Sequence, residues 1–110
     1  MERINTISYD ESFTHEYDFP NFTVHIEMET RETAHIRFKN EKGSFIDTPR
    51  GVMLRYDHNG GLKMDCKSFR IVWHGEYTLL HNQKAILKIR CPRQQTIDAS
   101  DCTASRKIDT

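Results

Sequence analysis

Apolar and polar residues alternate along two neighbouring stretches in the first half of the chain. The apolar positions are Phe22, Val24, Ile26 and Met28, followed by Ala34, Ile36 and Phe38. Period-two alternation of this kind predicts two half-buried β-strands. If both apolar rows face one core, opposed residues must have the same parity. The predicted pairs are therefore Met28 with Ala34, Ile26 with Ile36, Val24 with Phe38, Glu27 with His35, and His25 with Arg37.

The same parity argument predicts two further hairpins. In the first, the row Val52, Leu54 and Tyr56 opposes the row Leu62, Met64 and Cys66. Asn59-Gly60 alone suggests a two-residue turn, but that turn would pair odd with even positions. We therefore predict a three-residue loop over residues 58–60, with glycine in the left-handed region. In the second, Phe69, Ile71 and Trp73 face Tyr77 and Leu79 across a loop over residues 74–76.

Three more stretches read as strands. Residues 85–91 place Leu87 and Ile89 inward and Lys84, Lys88 and Arg90 outward. Residues 5–9 and 12–19 form two strands at the front, and Pro20 ends the second. An alternative for residues 48–59 is a short helix with Thr48 as N-cap and Pro49 in its first turn. Gly51 weakens that alternative, and the helix would leave the row of Leu62, Met64 and Cys66 without a partner strand.

The predicted fold class is all-β, an antiparallel up-and-down meander that forms either a small barrel or a two-sheet sandwich. The chain has 110 residues, which suits one domain. We place that domain at residues 1–92. Residues 93–110 hold Ile97 and Ile108 as their only large aliphatic side chains, and we expect a polar tail that is partly disordered or laid along the domain.

Composition and charge narrow the function classes. The 16 basic and 16 acidic residues balance, so the basic excess typical of nucleic-acid binders is missing. The row Lys84, Lys88 and Arg90 has no interleaved aromatics for single-strand binding, and we expect a solvated strand face. No apolar run is long enough to cross a membrane, and the first residues lack the apolar core of a secretory signal. We therefore expect a cytoplasmic protein without a membrane or nucleic-acid partner.

The three cysteines, Cys66, Cys91 and Cys102, include no C-x-x-C pair. An odd count of isolated cysteines is typical of reduced thiols. Cys66 and Cys91 fall on predicted strands, so a bridge between them stays open and depends on geometry. Cys102 falls in the predicted tail, where we expect an exposed and unactivated thiol.

The sharpest cluster of chemically active residues is His25, Glu27 and His35, which the predicted pairing brings onto one solvent-facing patch. Two imidazoles and a carboxylate are metal-ligand types, but Arg37 beside His25 disfavours a cation, and a cross-strand pair between Glu27 and His35 explains the pattern as well. No catalytic residue is predicted, because no nucleophile stands beside a base in a known local motif. No cofactor motif is present either.

Two function hypotheses rank above a third, an enzyme, which rests on the histidine and cysteine count alone. The first is a non-enzymatic binding module that acts through its surface on another protein, as an inhibitor, adaptor, immunity or regulatory factor. Its expected partner-binding residues are Val72 and Ile86, apolar residues at positions that the alternation assigns to solvent on adjacent strands, together with Lys84 and Lys88. The alternative is that Val72 and Ile86 lie under a second layer, as in a sandwich. The second is a small-molecule carrier with a barrel cavity lined by Phe13, His15, Tyr17 and Trp73.

Overall fold

A computed structural model describes residues 13–28, 33–57, 61–63, 69–72, 75–91 and 96–108. These residues form eleven strands. They are β1 Phe13–Asp18, β2 Thr23–Met28, β3 Thr33–Lys39, β4 Phe45–Ile46, β5 Val52–Tyr56, β6 Gly61–Lys63, β7 Phe69–Val72, β8 Gly75–His81, β9 Lys84–Cys91, β10 Thr96–Ala99 and β11 Ala104–Ile108. Among the residues described, no helix has the length and apolar character needed to cross a membrane.

The strands form two antiparallel sheets, and the predicted all-β class is confirmed. The first sheet has the order β11-β1-β2-β3-β4, with β7 on β3 as well. The second has the order β10-β9-β8-β5-β6. Of the two predicted closures, the described residues form the sandwich, not a closed barrel. The chain is not a simple meander, because it crosses between the sheets before β5, β7, β8 and β11.

The hairpin of β2 and β3 has the predicted register. Val24 pairs with Phe38, Ile26 with Ile36, and Met28 with Ala34. The side chains of Val24, Ile26, Ala34, Ile36 and Phe38 are fully buried. The apolar row is therefore the inner face of the first sheet, and His25, Glu27, His35 and Arg37 lie on its outer face, as parity requires.

The predicted register of β5 and β6 is wrong. Tyr56 pairs with Gly61 and Arg55 with Leu62, so four residues, 57–60, separate the paired positions where we expected three. The apolar row of β5 finds its partner in β8, where Leu54 pairs with Leu79 and Tyr56 with Tyr77. Since β8 already supplies that apolar partner, β6 is an edge strand whose register the core does not fix. Met64 and Cys66 lie outside the described residues.

The predicted hairpin between residues 69–73 and 77–79 is also wrong. β7 pairs with β3 in the first sheet, whereas β8 pairs with β5 and β9 in the second. Phe69 and Ile71 still face the core, because Ile36 and Ala34 lie opposite them. Trp73 lies outside the described residues, as does the strand expected at residues 5–9.

Strand β9 follows the prediction except at Ile86. Leu87 and Ile89 are buried and Lys84, Lys88 and Arg90 are exposed, as expected. The register shifts within the β8–β9 ladder, where Leu79 pairs with Leu87 but Leu80 pairs with Ala85. Such a bulge interrupts the alternation. Ile86 is consequently only 5% exposed, which agrees with the alternative of burial in a sandwich and not with a solvent-facing partner surface.

The C-terminal residues and the alternative helix differ from expectation as well. Within residues 93–110, β10 pairs with β9 and β11 pairs with β1, so residues 96–108 complete both sheets. The domain therefore extends beyond residue 92. Residues 52–56 are strand β5, which excludes a helix there. Cys102 packs partly buried against the core and donates its thiol to the Ala104 carbonyl oxygen at 2.7 Å, so its expected exposure is wrong.

Candidate functional site

The outer face of the first sheet buries polar side chains. Strand alternation turns Thr14, Glu16 and His25 away from the apolar core, yet they are only 2%, 3% and 7% exposed. A sheet face directed to water normally leaves such groups solvated, and burying a charge is costly unless it is paired. The outer face is therefore an organised layer of polar contacts, not a simple solvated surface.

Glu16 is the centre of this layer. Its Oε2 lies 2.6 Å from His25 Nδ1 and 2.5 Å from Lys39 Nζ, and its Oε1 accepts a hydrogen bond from Arg106 Nη2 at 3.0 Å. These donors come from β2, β3 and β11, so one carboxylate ties three strands to β1. Both carboxylate oxygens of Glu16 therefore have partners.

The pKa values follow from these contacts. Burial alone would raise the pKa of Glu16, but hydrogen bonds and positive charge from Lys39 and His25 outweigh it and lower that pKa. Arg106 donates to Asp18, which lowers the pKa of Asp18 against the opposing effect of burial. The same contact raises the pKa of Arg106. Glu16 and Asp18 are thus held ionised.

Phe45 covers part of this layer. It pairs with Lys39 at the sheet edge, and its ring meets the His25 ring edge-on at 5.1 Å. The Arg37 guanidinium lies 3.7 Å from the ring centroid and Lys39 Nζ lies at 5.1 Å, both within cation–π range. Phe45 is nevertheless 46% exposed, and it is the one large hydrophobic side chain so exposed in the described part of the chain.

The charged side chains shown in contact with the Phe45 ring are two cations, Arg37 and Lys39. On the outer face, the basic side chains that reach solvent at least in part are Arg37, Lys39, Arg70 and Arg106. The described acidic side chains with comparable access are Glu27, which lies 3.6 Å from Arg37, and Asp18, which is held by Arg106. Two further exposed carboxylates, Glu41 and Asp47, lie on either side of β4 in the sequence. We call Phe45, Arg37 and Lys39 the Phe45 patch: an exposed aromatic ring in contact with two cations.

The structure brings the three candidate metal ligands onto one face without assembling a metal centre. Glu27 pairs with His35 and His25 with Arg37, as predicted. His25, however, directs Nδ1 at Glu16, and the guanidinium of Arg37 lies nearby over Phe45. Among the described residues, no group of three His, Cys, Asp or Glu side chains is placed to hold a metal ion.

The expected partner-binding residues do not form one patch. Val72 lies on β7 in the first sheet, where it pairs with Thr33, and its side chain lies outside the description. Ile86 lies on β9 in the second sheet and is buried, so the expectation that the two residues occupy adjacent strands is wrong. Lys84 pairs with Asp101 at 2.5 Å, and Lys88 is exposed on β9.

The residues expected to line a barrel cavity occupy a different setting. Tyr17 is buried in the core, and its ring stacks on that of His15 with centroids 4.5 Å apart. Burial raises the pKa of Tyr17 to about 12, and nearby Cys102 and Asp98 act in the same direction. Because the described fold is a sandwich, a barrel lumen for these side chains is not supported. Trp73 and the side chain of Phe13 lie outside the described residues.

Sequence reasoning missed Phe45, Lys39 and Arg106 as members of one site. Phe45 stands among Gly, Ser, Asp and charged residues, outside any run of alternation, and an isolated aromatic in a polar segment is the signal that was available. Arg106 falls in a polar segment with no strand pattern.

Compared with protein-family models, with curated proteins and with solved structures, the chain matches none of them.

Proposed function

We propose that this protein is a non-enzymatic module that binds another protein through the Phe45 patch. The observation that carries the proposal is Phe45 itself, a large aromatic side chain left 46% exposed while cations hold its ring in place. Aromatic and arginine side chains dominate the binding energy of protein interfaces, and an anchor whose position is fixed in advance loses less entropy on binding.

Charge identifies the kind of partner. Arg37 and Lys39 contact the ring, so we expect the complementary surface to have an apolar pocket for Phe45 bordered by carboxylates. Complementary charge steers encounter and fixes orientation, and its effect weakens with added salt. The whole chain is neutral, which confines this attraction to the patch. A nucleic acid is the less suitable partner, because Glu27 and Asp18 lie on the same face.

The fold supports a binding role over catalysis. Glu16, the most buried described carboxylate of the outer face, has three donors as partners, an arrangement that suits a structural role. These contacts fix β1, β2, β3 and β11 behind the patch. A rigid support of this kind suits a preorganised recognition surface.

The test is quantitative affinity capture with the purified full chain as bait. Wild type, Phe45→Ala, Arg37→Ala and the control Arg90→Ala are compared. Arg90 is a matched control because it is an exposed arginine of the second sheet, paired only loosely with Glu76 and Asp98 at 3.6 and 3.8 Å. We expect one stoichiometric protein on wild type and on Arg90→Ala, with loss on Phe45→Ala and Arg37→Ala.

Two further readouts define the interface. Capture by wild type should weaken as salt is raised, and cross-linking should join Lys39 to an acidic segment of the captured protein. Truncating an anchoring aromatic costs about 2 kcal/mol or more, roughly a thirtyfold loss of affinity. Retention of the protein by Phe45→Ala, or the failure of wild type to capture any protein stoichiometrically, would refute the proposal.

A further inference from the structure

A cavity of about 580 Å³ opens at one end of the sandwich, and its lining does not include the residues of the Phe45 patch. Three connecting segments form its walls. Residues 19–22 join β1 to β2 in the first sheet, residues 82–83 join β8 to β9 in the second, and residues 100–103 cross from β10 to β11. The volume falls within the range of about 300–1,000 Å³ that is typical of small-ligand sites.

Backbone hydrogen bonds hold all three walls. Phe19 N–H donates to the Phe22 carbonyl at 2.8 Å, and Ser100 N–H donates to the Ile86 carbonyl at 2.8 Å. Thr103 N–H donates to the Asp18 carbonyl at 2.6 Å and binds the segment 100–103 to the end of β1. The cavity is thus part of the fixed architecture of the sandwich.

The turn at Asn82 is held especially closely. Asn82 and Gln83 have φ of 54° and 71°, as a two-residue type I′ hairpin turn requires. Asn82 N–H donates to the Gly51 carbonyl at 3.0 Å, and a Cβ on Gly51 would lie 2.3 Å from Asn82 Oδ1. Because Gly51 has no side chain, the Asn82 side chain can lie against it at the cavity rim.

The lining combines an apolar floor with a polar rim. Phe19, Phe22 and Ile86 supply the floor, and the Phe22 ring meets the His81 ring edge-on at 5.2 Å. The rim carries the amides of Asn21 and Asn82 and the ion pair of Lys84 with Asp101 at 2.5 Å. A few convergent polar groups above an apolar floor are the usual composition of a small-molecule site.

Charge balance at the rim selects the ligand class. Lys84 and Asp101 neutralise each other, so a charged ligand of either sign would compete with an existing ion pair. Amides, an ammonium and a carboxylate together offer both donors and acceptors, which matches hydroxyl groups that donate and accept. The apolar floor matches the C–H face of a ring. We propose that this cavity is a binding site for a neutral saccharide, an activity separate from the protein-binding role of the Phe45 patch.

The test is a titration of the isotope-labelled full chain with glucose, galactose, mannose and N-acetylglucosamine, followed by amide chemical shifts in nuclear magnetic resonance spectra. At least one sugar should give saturable shifts centred on Asn21, Asn82 and Asp101. Glucose 6-phosphate should bind more weakly than glucose, because its charge disturbs the Lys84–Asp101 pair. The proposal is overturned if no sugar of the panel gives saturable shifts, if the shifts lie elsewhere, or if the phosphate ester binds more tightly than glucose.

Two variants test the rim without threatening the fold. Asn82→Gly keeps a residue suited to positive φ and removes the amide, and Asp101→Asn keeps the shape at φ 63° and removes the charge. Each should weaken sugar binding about tenfold, the usual effect of losing one hydrogen bond to a charged or well-placed partner. Asp98→Asn, in the exposed pair with Arg90, is the matched control and should bind like wild type. Unchanged affinity in both rim variants would also overturn the proposal.

Discussion

The two faces of the first sheet are made by the same strands but stabilised by different forces. On the inner face, Ile36 and Phe38 are fully buried among apolar neighbours, where removal from water is the main gain. On the outer face, Glu16 is almost as buried, but its stability depends on three donors placed within hydrogen-bond distance. We therefore expect the inner face to be sensitive to loss of side-chain volume and the outer face to be sensitive to loss of a charged partner.

We expect the largest loss of stability from a substitution on the inner face. Phe38→Ala removes a fully buried ring that meets Phe22 and Phe69 edge-on at 5.8 and 6.2 Å. We expect the free energy of unfolding to fall by about 4 kcal/mol, since the cavity left behind adds to the lost transfer energy. Equilibrium denaturation in urea measures the change. A loss below about 1 kcal/mol would show that the inner face is not the packed core described.

We expect the second-largest loss of stability from a substitution on the outer face. Glu16→Gln keeps the shape but removes the charge that Lys39 and Arg106 share. We expect a loss of about 2 kcal/mol, below the value for a fully buried pair because both cations reach water. Urea denaturation of wild type and variant measures it. An unchanged midpoint would mean that the network contributes nothing to stability.

The pH dependence of stability tests the role of Glu16 in a second way. The pKa of Glu16 is lowered in the folded protein, so its stabilisation is full above the ordinary carboxyl pKa and is lost as pH falls through the lowered folded value. Wild type should therefore lose stability in that acid range, and Glu16→Gln should lose less. Some acid dependence must remain in the variant, because the pKa values of Asp18 and Asp57 are lowered as well.

A smaller effect is expected at the sheet edge. Arg106→Ala removes the contacts of β11 to Glu16 and Asp18, but the arginine side chain is 49% exposed. Screening by water limits the loss to about 1 kcal/mol, and added salt should reduce it further. Thermal unfolding at low and high salt measures both. Arg90→Ala is the control, and an equal loss in that variant would show that Arg106 has no special role.

The smallest effect on stability is expected at Phe45. Phe45→Ala repeats the substitution made at Phe38 on the opposite face, but the Phe45 ring is already half in water. We expect a loss below about 1 kcal/mol, mainly from the contacts with Arg37 and Lys39. A loss as large as that of Phe38→Ala would make Phe45 a structural residue instead of a binding one.

The sequence predicted local pairing better than long-range pairing. The register of β2 and β3 followed from parity, because a short hairpin with one apolar face allows only pairings that keep the apolar rows together. The same reasoning failed for β7, since the alternation of Phe69 and Ile71 requires a core-facing strand but does not say in which sheet it pairs. Parity therefore predicts which residues pair only when the partner strand is already known.

Two further features have no local signal. Strand β11 reads as polar because it is an edge strand, and its partner β1, with the contact of Arg106 to Glu16, lies far away in sequence. The bulge that buries Ile86 depends on the β8–β9 ladder as a whole. The outer-face layer was visible only in part, as the predicted placement of His25 and His35 on one face, because its central carboxylate comes from another hairpin.

The most direct test of the binding proposal compares the dissociation constants of wild type and Phe45→Ala for the captured protein, at a temperature where both are fully folded. We expect the dissociation constant of Phe45→Ala to be at least about thirtyfold higher than that of wild type, while its free energy of unfolding is nearly unchanged. Equal dissociation constants for the two proteins would contradict it.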